Sequence, residues 1–356
     1  MGTATIDETR VEEFMGQLVG HMTGTALCLG IWLGDELGFY RILADRGAMS
    51  AHGLAVQSEC HERLVREWLD SQAAGGILTF DEGADTYMLP PEHAMALADE
   101  ESPVFVARAM NAFGSLFLDF EKVKAAFRGT GAMSWGDHHP CLFSGTEWFF
   151  RTGYRAHLPT EWIPALDGVE AKLRDGGRVA DVGCGHAASI VAMAHAFPDA
   201  EYTGIDSHEA SIRTAGGRVA EEGVADRVRF QVADAQAYSG TYDLICFFDC
   251  LHDMGDPVGA ARYAREHLAE DGTVLLVEPF AIDGIDANQH DNPMAALLYH
   301  ASATICVPNS LSQEVGAGLG AQAGEARLEE VFEDAGYTRF RRVDETPMNL
   351  VLEARP

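Results

Sequence analysis

The chemistry in this sequence begins where an apolar run ends in an acid and two glycines: Val179-Ala180-Asp181-Val182-Gly183-Cys184-Gly185-His186-Ala187-Ala188. Glycines at 183 and 185 let the chain turn tightly and let a ligand approach the backbone with no Cβ in the way. A helix starting just after them aims unpaired N–H groups at the same place. Two further acids stand at expected strand ends. Asp206 closes Tyr202-Thr203-Gly204-Ile205-Asp206, 25 positions after Asp181, where a carboxylate can take both hydroxyls of a ribose. Asp234, in Val232-Ala233-Asp234-Ala235, is placed to accept from an adenine amino group. The spacing departs from the dinucleotide fingerprint, and an acid ahead of the glycines repels a pyrophosphate. A cationic, phosphate-free ligand suits that charge better.

A second cluster follows in Phe247-Phe248-Asp249-Cys250-Leu251-His252-Asp253-Met254. His252 has the titration range needed to take a phenolic or carboxylic proton near neutrality. Together, Asp181 to Gly185, Gly204 to Asp206, Val232 to Asp234 and Leu251 to Pro257 resemble the successive motifs of class I S-adenosylmethionine-dependent methyltransferases. The closest likeness is to the small-molecule type with an N-terminal winged-helix dimerisation domain, as in plant and bacterial O-methyltransferases. It covers nearly the whole chain and is weakest over residues 129–153 and 283–324.

The resemblance implies an S-adenosyl-L-methionine cofactor. Asp181, Gly183, Cys184 and Gly185 would line its methionine part, and Asp206 with Ser207 its ribose. Ala233, Asp234 and Ala235 would line the adenine, and Phe248 would be a further cofactor-binding position. Ala187 stands where many members have a third glycine, and Phe248 where plant members commonly have a lysine. The resemblance also implies a His-Asp pair, His252-Asp253, with His252 as general base held between two carboxylates. Glu278 in Leu276-Val277-Glu278-Pro279 matches one, and Glu325 in Gly324-Glu325-Ala326-Arg327 the other. Methyl transfer from a sulfonium is an in-line displacement of an activated group, so the protein must mainly align the nucleophile and remove its proton. The function expected is methylation of a small, aromatic or apolar molecule. Oxygen is the favoured acceptor, and nitrogen and carbon stay open. The alternatives are a regulator that binds the cofactor without turnover and an enzyme running non-methyl chemistry on the same fold.

These residues need a scaffold. From Arg178 onward, strand candidates (Arg178–Gly183, Glu201–Asp206, Arg227–Ala233, Tyr242–Asp249, Thr273–Pro279) alternate with helices, and Tyr337–Val343 and Met348–Glu353 close the chain. The expected fold class is α/β, a Rossmann-like methyltransferase sheet of seven strands, mostly parallel with one antiparallel. Ahead of it, apolar residues at helical spacing run from Val11 to Leu43, followed by helices at Ala51–Val56, capped by Ser50, and Glu62–Gln72. A hairpin of Ile77–Phe80 and Thr86–Leu89 completes a winged-helix pattern. The expected organisation is 1–100 as a dimerisation domain, 101–160 as linking helices and a substrate lid, and 161–356 as the cofactor-binding domain. Residues 129–153 lack a clean period and read as a loop or lid, and Tyr299–Pro308 as another wall of the substrate pocket. His138, His139, Cys141, Asp137 and His157 match no tight zinc spacing, so no metal is expected.

Charge narrows the partners. The 356 residues hold 55 acidic against 25 basic side chains, a formal net charge of −30. Residues 1–100 alone carry five arginines and no lysine against seventeen acids. A winged helix that reads DNA needs a basic face, because counterion release supplies most of its affinity. Nucleic acid and anionic membranes are therefore not expected partners, and a homodimer is, with the apolar stretch Thr25 to Leu43 between protomers. Seven scattered cysteines without a C-x-x-C pair point to reduced thiols in the cytoplasm. Met1 to Arg10 has no basic segment leading into an apolar run, so no secretory leader is expected.

Overall fold

In this computed structural model, which describes residues 6–356, the chain forms two compact units. Residues 1–5, part of the stretch read for a leader, lie outside the described residues. One unit takes in residues up to Gly114 together with Ser144–Thr152, and the other Ser115–Phe143 with Gly153–Pro356.

The first unit starts with α1 (Glu8–Glu36), where Asp7 caps the amino end by accepting from Thr9 N. The apolar periodicity from Val11 to Leu43 belongs to two helices, not one. Gly38, left-handed at φ 71°, breaks the run before α2 (Phe39–Arg46), a conformation glycine adopts without strain. Then come α3 (Ala51–Ser58), capped by Ser50 Oγ, and α4 (Glu62–Ala74), followed by a hairpin of β1 (Thr79–Asp81) and β2 (Thr86–Met88). Phe39, Tyr40, Leu43, Leu54, Leu69 and Tyr87 form its buried core. Trp68 joins α4 to α1 through Nε1 donating to Gly30 O at 2.8 Å. The arginines of α4 are already paired: Arg63 with Glu67 in the same helix, and Arg66 with Asp85 at 3.1 Å. Helix α1 buries only Gly34 and Asp35 within the chain. Val11, Phe14, Met15, Val19, Met22, Leu29 and Leu33 lie exposed along it, Met22 by 71%.

The second unit is built on β3 (Arg178–Val182), β4 (Glu201–Asp206), β5 (Val228–Val232), β6 (Tyr242–Phe248), β7 (Leu268–Pro279), β8 (Arg339–Glu345) and β9 (Asn349–Arg355). Their order is β5-β4-β3-β6-β7-β9-β8, and β9 alone runs against its neighbours. The strand order reverses between β3 and β6, so the crevice beyond their carboxyl ends is where an open α/β sheet binds ligands. Central strands are buried on both faces, which explains the near-continuous apolar runs in β6 and β7.

The expectation of a loop over residues 129–153 is overturned. After a short turn at Trp135–Asp137, a 17-residue helix, Cys141–His157, occupies most of it. Gly145 and Gly153 mimic breakers in the sequence. Gly145 is instead small because a Cβ there would run into the backbone of Ala112.

Candidate active site

Five strand tips bring the expected residues to one edge. Val182 pairs with Phe247 and Ile205, so the turn after β3 lies between the ends of β4 and β6. Gly183 and Gly185 are both left-handed, at φ 79° and 50°. A Cβ on Gly183 would lie 2.7 Å from Cys250 Sγ, so glycine there answers to crowding as well as to backbone conformation. Ala187 is left-handed too, at φ 64°, in the place where the family pattern has glycine. Such a residue costs on the order of 1 kcal/mol, strain of the kind that persists at ligand-binding turns.

Asp206 organises this turn. Its Oδ2 accepts from Gly185 N at 2.9 Å and its Oδ1 from His208 N at 2.8 Å. Burial raises its pKa, and those two backbone donors pull it back. Ser207 beside it is exposed. Ala233 N donates to Asp206 O at 3.1 Å, fastening the end of β5 to that of β4. Asp234 is exposed and takes Gln236 N at 3.0 Å, and Ala235 follows half-buried.

Asp181 lies beneath the turn, almost wholly buried. Ser189 Oγ donates to its Oδ2, while its Oδ1 has no hydrogen-bond partner. Burial pushes its pKa up to about 7. An orphaned buried acceptor beside a left-handed glycine turn, with a ribose-type acid one strand away, fits S-adenosylmethionine, whose ammonium and sulfonium are cations and which carries no phosphate. Phe248, also buried, packs against the Tyr154 ring at 5.3 Å.

Four residues beyond Phe248 stands the second cluster. His252 is buried, and its Nδ1 meets Glu278 Oε2 in a short hydrogen bond. Glu278 Oε1 accepts from Leu251 N at 3.0 Å and His252 N at 3.3 Å, so one carboxylate fixes both ring and backbone. Burial works against charge on the ring, yet the Glu278 carboxylate and then the neighbouring Cys306 outweigh it, and the His252 pKa lies well above the ordinary imidazole value. With Nδ1 committed to Glu278, Nε2 is the nitrogen left to exchange a proton.

Asp253 stays in this neighbourhood, its carboxyl pushed up to about 7 by burial against the pull of His252. Glu325 does not join it. It opens the helix Glu325–Asp334 and is tied to Arg342 of β8, Nε to Oε2 at 2.7 Å. The expectation that it brackets His252 is corrected accordingly: a guanidinium within reach offers it a stronger partner.

Several residues here escaped the sequence reading. Residues 302–321 fasten the His252 loop through its carbonyls: Asn309 Nδ2 donates to Asp253 O at 3.1 Å, Ser310 Oγ to Met254 O at 2.8 Å and Gly320 N to His252 O at 3.0 Å. Asn309 Oδ1 also accepts from Trp135 N at 2.8 Å, linking the turn at Trp135–Asp137 to the same loop. Cys306 ends a π-helical turn, Ser302–Cys306, just ahead of Pro308, whose missing N–H disfavours regular α-helical bonding there. Of these, only Cys306 lay in a segment the sequence marked, the expected wall Tyr299–Pro308. Asp249, Tyr154 and Asn349 form a further network. His138 is buried 3.5 Å from Asp119, and among the described residues no group of three or more His, Cys, Asp or Glu could hold a metal ion.

Comparison with known proteins identifies the family and the fold. Residues 154–338 match the methyltransferase domain family, and residues 25–99 the Rv2258c-like winged helix-turn-helix domain. The first match takes in more than half of the chain, which therefore belongs to the methyltransferase domain family. Among curated relatives, 27-O-demethylrifamycin SV methyltransferase of Amycolatopsis mediterranei is 34% identical over 107 residues, 29% of this chain and 39% of that protein. An uncharacterised Synechococcus protein is 31% identical over 123 residues, 34% of this chain and 30% of its own. The chain thus spans well under half the length of these curated relatives. Among solved structures, mitomycin 7-O-methyltransferase (19% identical, 98% of this chain, 100% of that one) has a TM-score of 0.70. Human N-acetylserotonin methyltransferase, solved with SAM, also has a TM-score of 0.70 at 17% identity, covering 100% and 99%. At such identities the likeness shows the fold.

Gly183→Ala forces a Cβ against Cys250 and a left-handed alanine, so calorimetry should show S-adenosylhomocysteine affinity falling by about tenfold or more. Asp181, Asp253 and His252 all have folded pKa values above their unfolded ones, so the stability they lend is complete below the unfolded values and lost as pH rises through the folded ones. The ligand-free protein should therefore melt lower at about pH 8.5 than at about pH 6, and Asp253→Asn should flatten that slope.

Proposed function

We propose that this protein is an S-adenosylmethionine-dependent O-methyltransferase acting on a small aromatic or apolar molecule, with His252 as general base. The observation that carries the reading is a buried His–carboxylate dyad, His252–Glu278, on the same strand edge as a glycine turn whose buried acid has an unmet acceptor. When bound, S-adenosylmethionine supplies an activated methyl group and leaves as a neutral thioether. The remaining work falls to the chain. The glycine turn and Asp206 would hold the nucleoside, and Asp181, with its unmet Oδ1, would supply an acceptor for a charged group of the cofactor. Glu278 keeps the His252 ring oriented, Nδ1 toward itself. His252 Nε2 takes the proton of the acceptor hydroxyl as the new C–O bond forms, and Glu278 stabilises the imidazolium that results. A cation in the adjacent donor site opposes the imidazolium and lowers the His252 pKa toward the working range.

The dyad favours a catalyst over a regulator that merely binds the cofactor. A small-molecule acceptor is supported by relatives named for oxygen methylation of mitomycin and rifamycin-type compounds. Trp135 and Phe143, with ring centroids 5.3 Å apart, suit an apolar or aromatic one. We assign cofactor binding to residues 161–356 and dimerisation to 1–100, α1 presenting its exposed apolar side to a second copy. The paired arginines of α4 and the acidic balance of 1–100 speak against nucleic acid as the partner. All seven cysteines are free thiols, in keeping with a cytoplasmic setting, and among the described residues no helix is long and apolar enough to cross a membrane.

His252→Ala should lower turnover by about 100-fold or more while S-adenosylhomocysteine affinity stays within about twofold. Wild-type turnover in that variant ends the base assignment. Because the base must shed its proton first, kcat should climb with pH above neutrality, and Glu278→Gln should move that limb to lower pH while reducing its plateau. Light scattering at micromolar protein should report a mass of two chains, and Met22→Asp with Phe14→Asp should shift it toward one.

A further inference from the structure

Asp249 is a half-buried residue whose carboxyl has no part in the dyad or the glycine turn. It follows β6 directly, two residues beyond the Val182–Phe247 pair, and so flanks the glycine turn from the β6 side. Its backbone is left-handed at φ 51°, and its N–H donates to Val277 O at 2.8 Å. Non-glycine residues in that conformation carry strain and cluster at functional sites. Two elements converge on its carboxyl. Tyr154 Oη, from the helix Cys141–His157, donates to Oδ2 at 2.7 Å. Asn349 Nδ2, from β9, donates to Oδ1 at 2.7 Å.

The other groups acting on this carboxyl are Glu278 on β7 and His252 after β6, while Asp181 on β3 acts on Tyr154. The strongest influences include no lysine or arginine. Burial therefore dominates and pushes Asp249 up to about 8. Two neutral donors orient a carboxylate without balancing its charge. Such an arrangement gains most when a cation arrives beside it, because the carboxyl then ionises against its new partner.

Resting on the donor site proposed above, we propose that Asp249, oriented by Tyr154 and Asn349, is the group that tells the sulfonium donor from its neutral thioether product. The α-ammonium is common to both ligands, so it cancels in the comparison, and the sulfonium charge is what differs. Asp249 faces a cation before transfer and a neutral sulfur after it, so its contribution to binding falls away at the moment the product must leave. Differential binding of this kind sets the ratio of the two affinities without a change in shape of the pocket.

The test is calorimetric binding of S-adenosylmethionine, S-adenosylhomocysteine and sinefungin, whose amine puts a positive charge near the place of the sulfonium, to the full chain at about pH 7.5. Asp249→Asn should weaken S-adenosylmethionine and sinefungin by about tenfold while leaving S-adenosylhomocysteine within about twofold, the size expected for one partly screened charge pair. Tyr154→Phe keeps the carboxyl but removes a donor that favours its ionised form. It should show the same selective loss at about pH 7 and recover near pH 9, whereas Asp249→Asn should not recover. Equal losses for charged and neutral ligands, or none, overturn the proposal while leaving the donor site standing. If the unaltered protein binds none of the three ligands, the donor site falls and this inference with it.

Discussion

The arrangement of the second unit turns on one buried carboxylate. Glu278 leaves the end of β7 with both oxygens engaged, one by two successive backbone N–H groups and the other by an imidazole. Burying an anion is tolerable only when its acceptor capacity is met by well-placed donors, and those donors here come from the peptide that must be held still. The same bond that solves the desolvation problem of Glu278 settles which nitrogen of His252 is committed and which is left over. Folding energetics and chemical competence are one requirement at this point.

The edge of the sheet extends that economy. Asp206 spends its two oxygens on Gly185 N and His208 N, joining the turn after β3 to the helix after β4. The resulting crevice is rich in acids raised by burial, with His252 the cation paired among them. A site with that electrostatic character suits a positively charged nucleoside and disfavours a phosphorylated one, which is the discrimination already implied by an acid standing ahead of the glycines.

Strands β3, β4 and β6 were legible because apolar runs ending in acids and glycines leave few alternative readings, and their parallel pairing followed from their alternation with helices. Asp181, Asp206, His252 and Glu278 could be found for the same reason: each sits at or just past a strand end. Legibility failed where partners are distant in sequence. Tyr154 and Asn349 meet at Asp249 from opposite ends of the unit, and nothing local marks either one. Asn309 bridges Trp135 and Asp253 through an amide that carries no periodic signal. Glu325 misled because a carboxylate at a helix start looks alike whether it faces an imidazole or, as here, an arginine on a neighbouring strand. The helix Cys141–His157 was hidden because glycines and aromatics blur its period, and of its two glycines Gly145 serves close packing against Ala112.

The way residues 302–321 grip the peptide from His252 to Gly255 bears on how such a protein can diversify. Asn309, Ser310, Gln313, Ala317 and Gly320 each hold a backbone atom of that peptide. A segment exchanged wholesale for that of a cousin would import new fastenings along with new walls, and the imidazole would be re-aimed by whatever register they impose. Retuning by single side chains that spare these five anchors is the mechanically independent route.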